Sequence, residues 1–356
     1  MKSKIAGGLW LLLLAGFAQA DEIELKPGHP ERYIVARGDT LWDIAGKFLA
    51  RPWQWPEIWR DNRQIANPHW IYPGDELTLT VVDGKPRLQV GYRPPEGAQA
   101  GIVETPGGDV RLSPVIRVEP LGQAIPTVPL SAIQQFLTEP KVILDASLMD
   151  RSPYVVAMAD EHVVAGSGDR VYVRGPVDRQ TAGYMVFRAG PPYLDAETGE
   201  TLGYEALYVA SADLQAVDDP STLRINKSQR EVVIGDRILP VEAERVQTRY
   251  QPHPPAKPVW GHVISVVDGV SQIGQWNIVV IDRGTADGIE TGSVLEVRQS
   301  GAFQRDIISP NPSEIVTLPA EKEGLLMVFR PYERVSFALV MNAVRAIHIN
   351  DAVTNP

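Results

Sequence analysis

Six histidines are the residues of this sequence best suited to metal binding or to proton transfer near neutral pH. No two of them have the spacing of an HExxH zinc motif, and three lie beside prolines in segments typical of turns. The sequence contains no cysteine, which excludes thiolate nucleophiles, cysteine-bound zinc and disulfide bonds. We therefore expect no metal site. The histidines are His29, His69, His162, His253, His262 and His348.

The serine motifs of hydrolases are also absent from the sequence. It has no G-x-S-x-G nucleophile elbow and no S-x-x-K followed by K-T-G. Two placed carboxylates can hydrolyse a glycosidic bond, and a chain with 44 Asp and Glu residues always offers some pair. The Asp218-Asp219-Pro220 cluster is, however, typical of a solvated turn. We expect a protein that is not an enzyme and needs no cofactor.

The composition excludes one further class of partner. The chain has 356 residues, with 34 Lys and Arg against 44 Asp and Glu, and a formal net charge of -10. Binding to phosphate backbones needs a basic surface, so nucleic acid is not an expected partner. Thirty glycines and 30 prolines favour many turns between short strands.

Residues 31–82 are predicted to fold as strand, helix, helix and strand. A short strand precedes the Arg37-Gly38-Asp39 turn, and Thr40 is a candidate N-cap for an amphipathic helix. Pro52 is expected to end that helix, and Pro56 to stand at the first position of a second helix. A segment in which leucine and valine alternate with threonine closes this part as a strand.

This segment resembles the LysM domain in the order and spacing of its motif residues. The resemblance implies a small βααβ fold that binds glycans containing N-acetylglucosamine, chiefly peptidoglycan in bacteria. The matching residues are Tyr33, Val35, Gly38, Asp39, Thr40, Leu41, Ile44, Ala45, Trp59, Asn62, Ile71, Pro73, Gly74, Asp75 and Leu77.

The resemblance also implies where the sugar lies, in a groove between the loop after the first strand and the loop before the last. From the residues alone, a turn offers backbone N–H and C=O groups to hydroxyl and N-acetyl groups, while Trp70 and Tyr72 offer apolar faces. Simpler roles stay open: Thr40 as a helix cap, Gly38 as a turn residue and Trp70 as core. The implied glycan-binding residues are Gly38, Asp39, Thr40 and Leu41 on one side and Asn67, Trp70, Ile71 and Tyr72 on the other.

Two tryptophans, Trp53 and Trp55, lie in an insertion between the predicted helices. Because a domain of this size has a small core, we expect them to enlarge that core rather than to form a second binding site.

The rest of the chain is predicted to be mainly β-sheet. Residues 83–99 are expected to be a linker, followed by a β-rich domain at residues 100–250. A stiff proline-rich linker at residues 251–259 is expected to separate it from a C-terminal β domain at residues 260–356.

The two β-rich parts are expected to be a diverged duplication. Met185-Val-Phe-Arg188 recurs as Met327-Val-Phe-Arg330, and the sequence after each closes on a polar turn that ends at Asp236 or Asp351. The predicted fold class is thus a multidomain protein, with a small LysM-like domain followed by a mainly-β region that contains an internal duplication.

Residues 1–20 have the pattern of a secretory signal peptide. A positive end precedes an apolar run, and Ala18-Gln19-Ala20 provides a small-residue cleavage site. The run is shorter than the ~20 residues that span a bilayer. We therefore expect cleavage and export.

The whole plan is similar to the family of type IV pilus secretin-associated proteins, which join a LysM domain to a C-terminal region similar to flagellar assembly protein T. The similarity is specific in residues 53–59 and 67–74, and residues 284–292 resemble a turn and strand of the C-terminal region. It implies a cell-envelope adaptor in the periplasm, associated with the cell wall and the outer membrane, that holds an outer-membrane secretin to peptidoglycan during twitching motility. A homo-oligomeric ring would supply avidity to weak single domains.

Two other classes of function stay open. One is a peptidoglycan-remodelling enzyme, and the other is a structural component of the flagellar ring.

Overall fold

The structure is a computed structural model of the chain. The predicted signal peptide at residues 1–20 lies outside the residues that it describes. None of the helices in the described part of the chain is long and apolar enough to cross a membrane. The described residues are 23–59, 71–91, 102–104, 110–112, 125–129, 132–133, 141–241, 250–267, 273–299, 303–311 and 314–356.

The N-terminal domain packs two short helices against a three-stranded antiparallel sheet. Its elements are β1 (Arg32–Ile34), α1 (Leu41–Phe48), α2 (Trp55–Trp59), β2 (Glu76–Val82) and β3 (Lys85–Gly91). Strand β2 lies in the centre, with Tyr33 of β1 opposite Leu77 and Leu88 of β3 opposite Leu79. These elements bury one apolar core that includes Leu41, Ile44, Phe48, Trp55, Ile58, Ile71, Leu77 and Leu88.

Strand β3 corrects the linker that was expected at residues 83–99. Asp83 and Gly84 have φ angles of 51° and 74°, and this pair of left-handed residues turns β2 into a hairpin. The following residues pair with β2 along its whole length, and Leu88 enters the core. The N-terminal domain therefore extends to residue 91, and residues 92–99 lie outside the described part.

Helix α1 begins as the sequence predicts and ends earlier. Thr40 is extended (φ -115°, ψ 161°), and its Oγ1 accepts a hydrogen bond from Asp43 N at 3.1 Å. The helix ends at Phe48, because Leu49 is already extended. Pro52 starts a 3-10 turn, Pro52–Gln54, instead of ending the helix.

Strands β4 (Ile102–Glu104) and β5 (Val110–Leu112) form a separate hairpin between the N-terminal and middle domains. Residues 125–129 follow as an irregular segment, with a bend at residues 127 and 128, that is hydrogen-bonded to the N-terminal domain. Residues 132 and 133, which follow shortly after, are helical.

The middle domain, within residues 141–241, is an antiparallel sheet that curls back on itself. Its elements are β6 (Lys141–Ile143), α3 (Ala146–Arg151), β7 (Tyr154–Met158), β8 (Arg170–Arg174), β9 (Gly183–Leu194), β10 (Thr201–Ala216), β11 (Ser221–Ser228) and β12 (Arg237–Pro240). The strand order is β11-β8-β7-β12-β9-β10-β6, and β11 also pairs with β10. Six strands therefore close into a ring, with β6 attached to β10 outside it.

The C-terminal domain is a closed six-stranded barrel with one hairpin beside it. Its strands are β13 (Trp260–Val266), β14 (Ile278–Ile281), β15 (Val294–Gln299), β16 (Phe303–Arg305), β17 (Ile315–Thr317), β18 (Glu321–Pro331), β19 (Ser336–Ala343) and β20 (Ala352–Thr354). The barrel order is β13-β14-β19-β18-β15-β20, while β16 and β17 form their own two-stranded sheet. The mainly-β prediction for this region is confirmed.

The middle ring and the C-terminal barrel have the same strand order. Numbered along the chain within each ring, both run 1-2-5-4-3-6. The turns that end at Asp236 and Asp351 occupy equivalent places, since each leads into the sixth strand. Each also follows an isolated bridge residue, Val232 or Ile347.

The recurring tetrapeptide does not support the predicted duplication. Met185 lies in the third strand of its ring, whereas Met327 lies in the fourth strand of the barrel. The two copies are therefore not structurally equivalent. The duplication is not confirmed and stays a prediction, which the shared strand order and the equivalent turns favour.

The expected stiff linker at residues 251–259 is instead packed onto the barrel. His253 bridges to Ser293, and the Asn355 side-chain amide donates to the carbonyls of Pro255 and Lys257 at 3.2 and 3.1 Å. Tyr250, just before this segment, is buried in a core that includes barrel residues. A segment held in this way does not act as a flexible spacer between independent bodies.

Ion pairs also join the middle domain to the barrel. Arg283 Nη1 lies 3.2 Å from Asp195 Oδ2, and the Arg334 guanidinium makes two hydrogen bonds, of 2.9 and 2.8 Å, to the Glu200 carboxylate. Backbone N–H donation from Thr198, together with the contact to Arg283, lowers the pKa of Asp195 to about 2. Asp195 is therefore ionised at neutral pH, as the pairing requires.

Candidate functional site

The loop after β1 is held by one carboxylate. Asp39 Oδ2 accepts hydrogen bonds from Ala36 N and from the Tyr33 hydroxyl, both at 2.8 Å. Gly38 has a φ of 95°, a left-handed conformation that favours glycine. Gly38, through its backbone conformation, and Asp39, through its carboxylate, therefore shape the loop.

Tyr33 is fixed to this loop. Burial, then the hydrogen bond to Asp39, raises the pKa of Tyr33 to about 12. The phenol thus remains protonated and donates to Asp39 across the whole physiological pH range.

Thr40 and Leu41 also have structural roles. Thr40 is buried, caps α1 and donates its hydroxyl proton to Asp43 Oδ2 at 2.7 Å. The Leu41 side chain is buried in the domain core. Thr40 therefore caps the helix and Gly38 adopts the conformation of the turn, while their part in glycan binding stays a prediction.

The loop before β2 faces the first loop across a narrow gap. Val35 N donates to Asp75 O at 2.9 Å and Gly74 N donates to Val35 O at 2.8 Å, so that the two loops share one backbone frame. Ile71 is fully buried, and Tyr72, half-buried, donates its N–H to Asp75 Oδ2 at 2.9 Å. Asn67 and Trp70, the other two predicted glycan-binding residues, lie outside the described residues.

Backbone groups of both loops are hydrogen-bonded to one segment of the same chain. Leu41 N donates to Pro126 O at 3.0 Å and Trp42 N donates to Thr127 O at 3.3 Å. On the opposite side, Ile71 O accepts a hydrogen bond from Ile125 N at 2.9 Å. The first two N–H groups of a helix have no partner within the helix, so carbonyls 126 and 127 satisfy donors that α1 leaves free.

We call residues 125–129 the docked segment. The side chains of Ile125, Thr127 and Val128 are buried, with Ile125 in the core of the N-terminal domain and Val128 in the apolar cluster that also contains Trp42 and Trp53. Trp42 and Trp53 belong to the same cluster as residues on the barrel strands, which include Phe329. This corrects one expectation in part: Trp55 enlarges the domain core as predicted, but Trp53 packs towards the barrel.

The sequence did not indicate this contact. Two prolines, Pro126 and Pro129, favour an extended backbone, but nothing in a local pattern reveals which loops such a segment will meet. The sequence also did not indicate that the backbone N–H groups of Leu41 and Trp42 donate as a pair. A sequence motif specifies side chains and carries no information on backbone hydrogen bonds.

The core formed by the described residues of the N-terminal domain encloses a cavity of about 10 Å³ among Leu41, Trp55, Ile71 and their neighbours. This is at most the space of one water molecule, so this cavity does not hold a sugar.

One cluster in the described residues could offer three ligand atoms to a metal ion. Ligand atoms of Glu323, His348 and Asp351 lie within 4.8 Å of one another. Burial, then the hydrogen bond and charge of Asp351, raises the pKa of Glu323 to about 8. Glu323 therefore holds a proton at neutral pH, and this removes the repulsion that two neighbouring carboxylates would have.

In the equivalent turn of the middle domain, which ends at Asp236, a guanidinium stabilises the buried carboxylate. Arg188 Nε and Nη2 lie 2.8 and 3.0 Å from the two oxygens of Asp236, which is buried. Sequence reasoning found neither arrangement, because each joins a strand residue to a turn more than 25 positions later in the chain.

Comparison with known proteins agrees with this geometry. The LysM domain model matches residues 33–80. An uncharacterized protein of Bacillus subtilis (strain 168), YqbP, is 43% identical over 60 residues, which is 14% of this chain and 27% of the relative. The chain thus matches about a quarter of the length of this relative.

The matched residues contain both loops, the Thr40 cap and the central strand of the sheet. LysM domains bind peptidoglycan and related carbohydrates, and the rest of the chain forms the mainly-β region described above. The N-terminal domain of this protein is therefore a LysM domain.

Proposed function

We propose that this protein is an exported, non-enzymatic adaptor that binds peptidoglycan through the gap between the two LysM loops. The observation that carries the proposal is the opposed pair of Leu41 N–H and Ile71 C=O, each of which now bonds to an amide group of the docked segment. An N-acetyl group is also an amide, with one C=O acceptor and one N–H donor. The same two backbone groups therefore suit N-acetylated sugars.

The charge of the chain is consistent with this mode of binding. A formal net charge of -10 gives no general attraction to an anionic polymer such as peptidoglycan. Recognition would depend on hydrogen bonds and apolar contacts in the gap, and should be only weakly dependent on salt.

Co-sedimentation of the full chain with purified peptidoglycan sacculi tests this proposal. Chitotetraose, an oligomer of N-acetylglucosamine, should release the protein into the supernatant. Cellotetraose has the same linkage but lacks acetamido groups, and should release much less. No sedimentation, or equal release by both sugars, would contradict recognition through the acetamide.

We further propose that the β-rich region attaches this glycan anchor to an outer-membrane secretin, with several copies arranged as a ring. The β16–β17 hairpin of the C-terminal domain is a candidate partner-binding surface, because Ile307 and Ile308 at its tip are 83% and 86% exposed. Neighbouring Ile315 and Leu318 are also exposed. Isolated two-stranded hairpins are marginally stable in water, and exposed apolar clusters commonly mark interfaces.

Binding of the full chain to a purified outer-membrane secretin tests the second proposal. Ile307→Asp with Ile308→Asp should weaken binding at least tenfold, because two contact residues become charged. Val163→Asp is the matched control, since Val163 is equally exposed but lies in the middle domain. Equal binding by both variants would contradict a role for the hairpin.

A further inference from the structure

The LysM groove of this protein is not open in the structure. Its two rows of backbone groups are bridged by the docked segment, which bonds to Leu41 N and Trp42 N on one side and to Ile71 O on the other. Ile125 and Val128 anchor this segment with buried side chains, 3% and 0% exposed. The contacts are thus both polar and apolar, and they come from residues more than 50 positions beyond the groove.

The docked segment presents the groove with the groups that an N-acetylated sugar would present. The Pro126 carbonyl fills the acceptor position opposite Leu41 N–H, and Ile125 N–H fills the donor position opposite Ile71 C=O. Each backbone group of the groove has one partner in this arrangement. An amide from a glycan and the amides of residues 125–127 therefore compete for the same atoms.

We propose that residues 125–129 are an internal ligand that closes the LysM groove, and that glycan binding requires this segment to leave. The inference rests on the proposed glycan-binding function and adds its regulation. A bound glycan then occupies the groove and also displaces Val128 from the apolar cluster that contains Trp42 and Trp53. Because those tryptophans share a core with barrel residues, occupancy of the groove is linked to how the LysM domain sits on the barrel.

One feature of the closed form favours release. The Thr127 hydroxyl is buried and has no hydrogen-bond partner among the described residues. A buried, unsatisfied hydroxyl loses its hydration and gains nothing in return. Opening the segment returns this group to water, which partly offsets the loss of the three backbone hydrogen bonds.

The first test opens the segment. Val128→Asp in the full chain places a charge where no solvent reaches, so the segment should leave while all groove atoms remain. Val163→Asp makes the same change at an exposed site. If the wild-type groove is open about one tenth of the time, Val128→Asp should bind chitotetraose and sacculi about tenfold more tightly.

The second test locks the segment and guards against misfolding of the first variant. Ile71→Cys with Ile125→Cys places two thiols on neighbouring backbones, joined by the 2.9 Å hydrogen bond, in a chain that has no other cysteine. The oxidised variant should lose glycan binding, and dithiothreitol should restore it. Each single-cysteine variant should bind chitotetraose equally before and after treatment with the same oxidant, whatever the substitution itself does to binding.

The outcomes separate this inference from the function on which it rests. Tighter binding by Val128→Asp together with loss on oxidation supports the internal ligand. Undiminished binding by the oxidised double variant, with the disulfide verified by mass spectrometry, overturns the internal ligand and leaves the glycan-binding function intact. Absence of binding by the wild type, by Val128→Asp and by the reduced variant overturns both.

Discussion

Leu41 donates its backbone N–H to the carbonyl of Pro126 across 3.0 Å, and this bond joins the first turn of a LysM helix to a segment 85 positions further along the chain. The side chain of Leu41 belongs to the domain core, so one residue links the fold to the groove. Leu41 therefore contributes its side chain to the core and its backbone N–H to the contact with the docked segment. A substitution that keeps the core but removes the N–H group of Leu41 therefore tests the backbone role separately from the side-chain role.

The guanidinium of Arg188 is predicted to hold the middle ring closed. Arg188→Leu leaves the buried Asp236 carboxylate without its cation, which should lower the free energy of unfolding by about 2 kcal/mol. Thermal denaturation of the full chain measures this loss. Arg151→Leu removes an exposed pair with Asp145 and should change little; equal effects of both substitutions would contradict the prediction.

The buried acid pair of the barrel is predicted to make stability fall with rising pH. The pKa of Glu323 is raised from 4.5 to about 8, so the folded chain keeps a proton that the unfolded chain loses above pH 4.5. Stability should be full below that pH, and should decline as the pH rises to about 8.

The Glu323→Gln variant has no titrating group at this position, so it isolates the contribution of Glu323 to the pH dependence of stability. It should abolish the decline and exceed the wild type in melting temperature at pH 8.5, while the two chains should differ little at pH 4.5. Each pKa unit corresponds to about 1.4 kcal/mol, so the difference is well within calorimetric range. Parallel pH profiles for the two chains would show that Glu323 is not the group responsible.

Gly292 is predicted to be irreplaceable in the turn before β15. Its φ is 99°, and an added Cβ would collide with the backbone carbonyl of Gln251 in the packed proline-rich segment. Gly292→Ala should therefore cost about 3 kcal/mol, the sum of left-handed strain and overpacking. Gly199→Ala, at φ 72° in open space, should cost only about 1 kcal/mol. Similar urea midpoints for the two variants would be inconsistent with the collision.

The LysM domain could be predicted because its signals are local. The Thr40 cap, the apolar spacing of α1 and the Pro73-Gly74-Asp75 turn act within a few residues of one another, and they fold as expected. Strand β3 was missed because its sequence begins with Lys85-Pro86-Arg87, which is typical of a linker. Its role depends on pairing with β2, which the composition does not reveal.

The contacts that define the groove could not be predicted for a similar reason. Residues 125–129 meet Leu41 and Ile71 through their backbone, and backbone partners leave no trace in side-chain identity. The common strand order of the two rings is also a long-range property. The tetrapeptide that suggested a repeat lies in non-equivalent strands, whereas the turns at Asp236 and Asp351 are equivalent.

The central claim is that the Leu41 N–H group binds the acetamide of a glycan, and calorimetric titration with chitotetraose tests it most directly. Leu41→Pro removes this N–H, and proline suits the first helical position after an extended Thr40. Leu41→Ala is the matched control, since it shortens the side chain but keeps the N–H. Both are placed in the Val128→Asp chain, where the docked segment no longer competes.

We predict one glycan per chain, with Leu41→Pro about tenfold weaker than Leu41→Ala, as expected for the loss of one hydrogen bond in a dry groove. Equal dissociation constants for the two variants would contradict the claim.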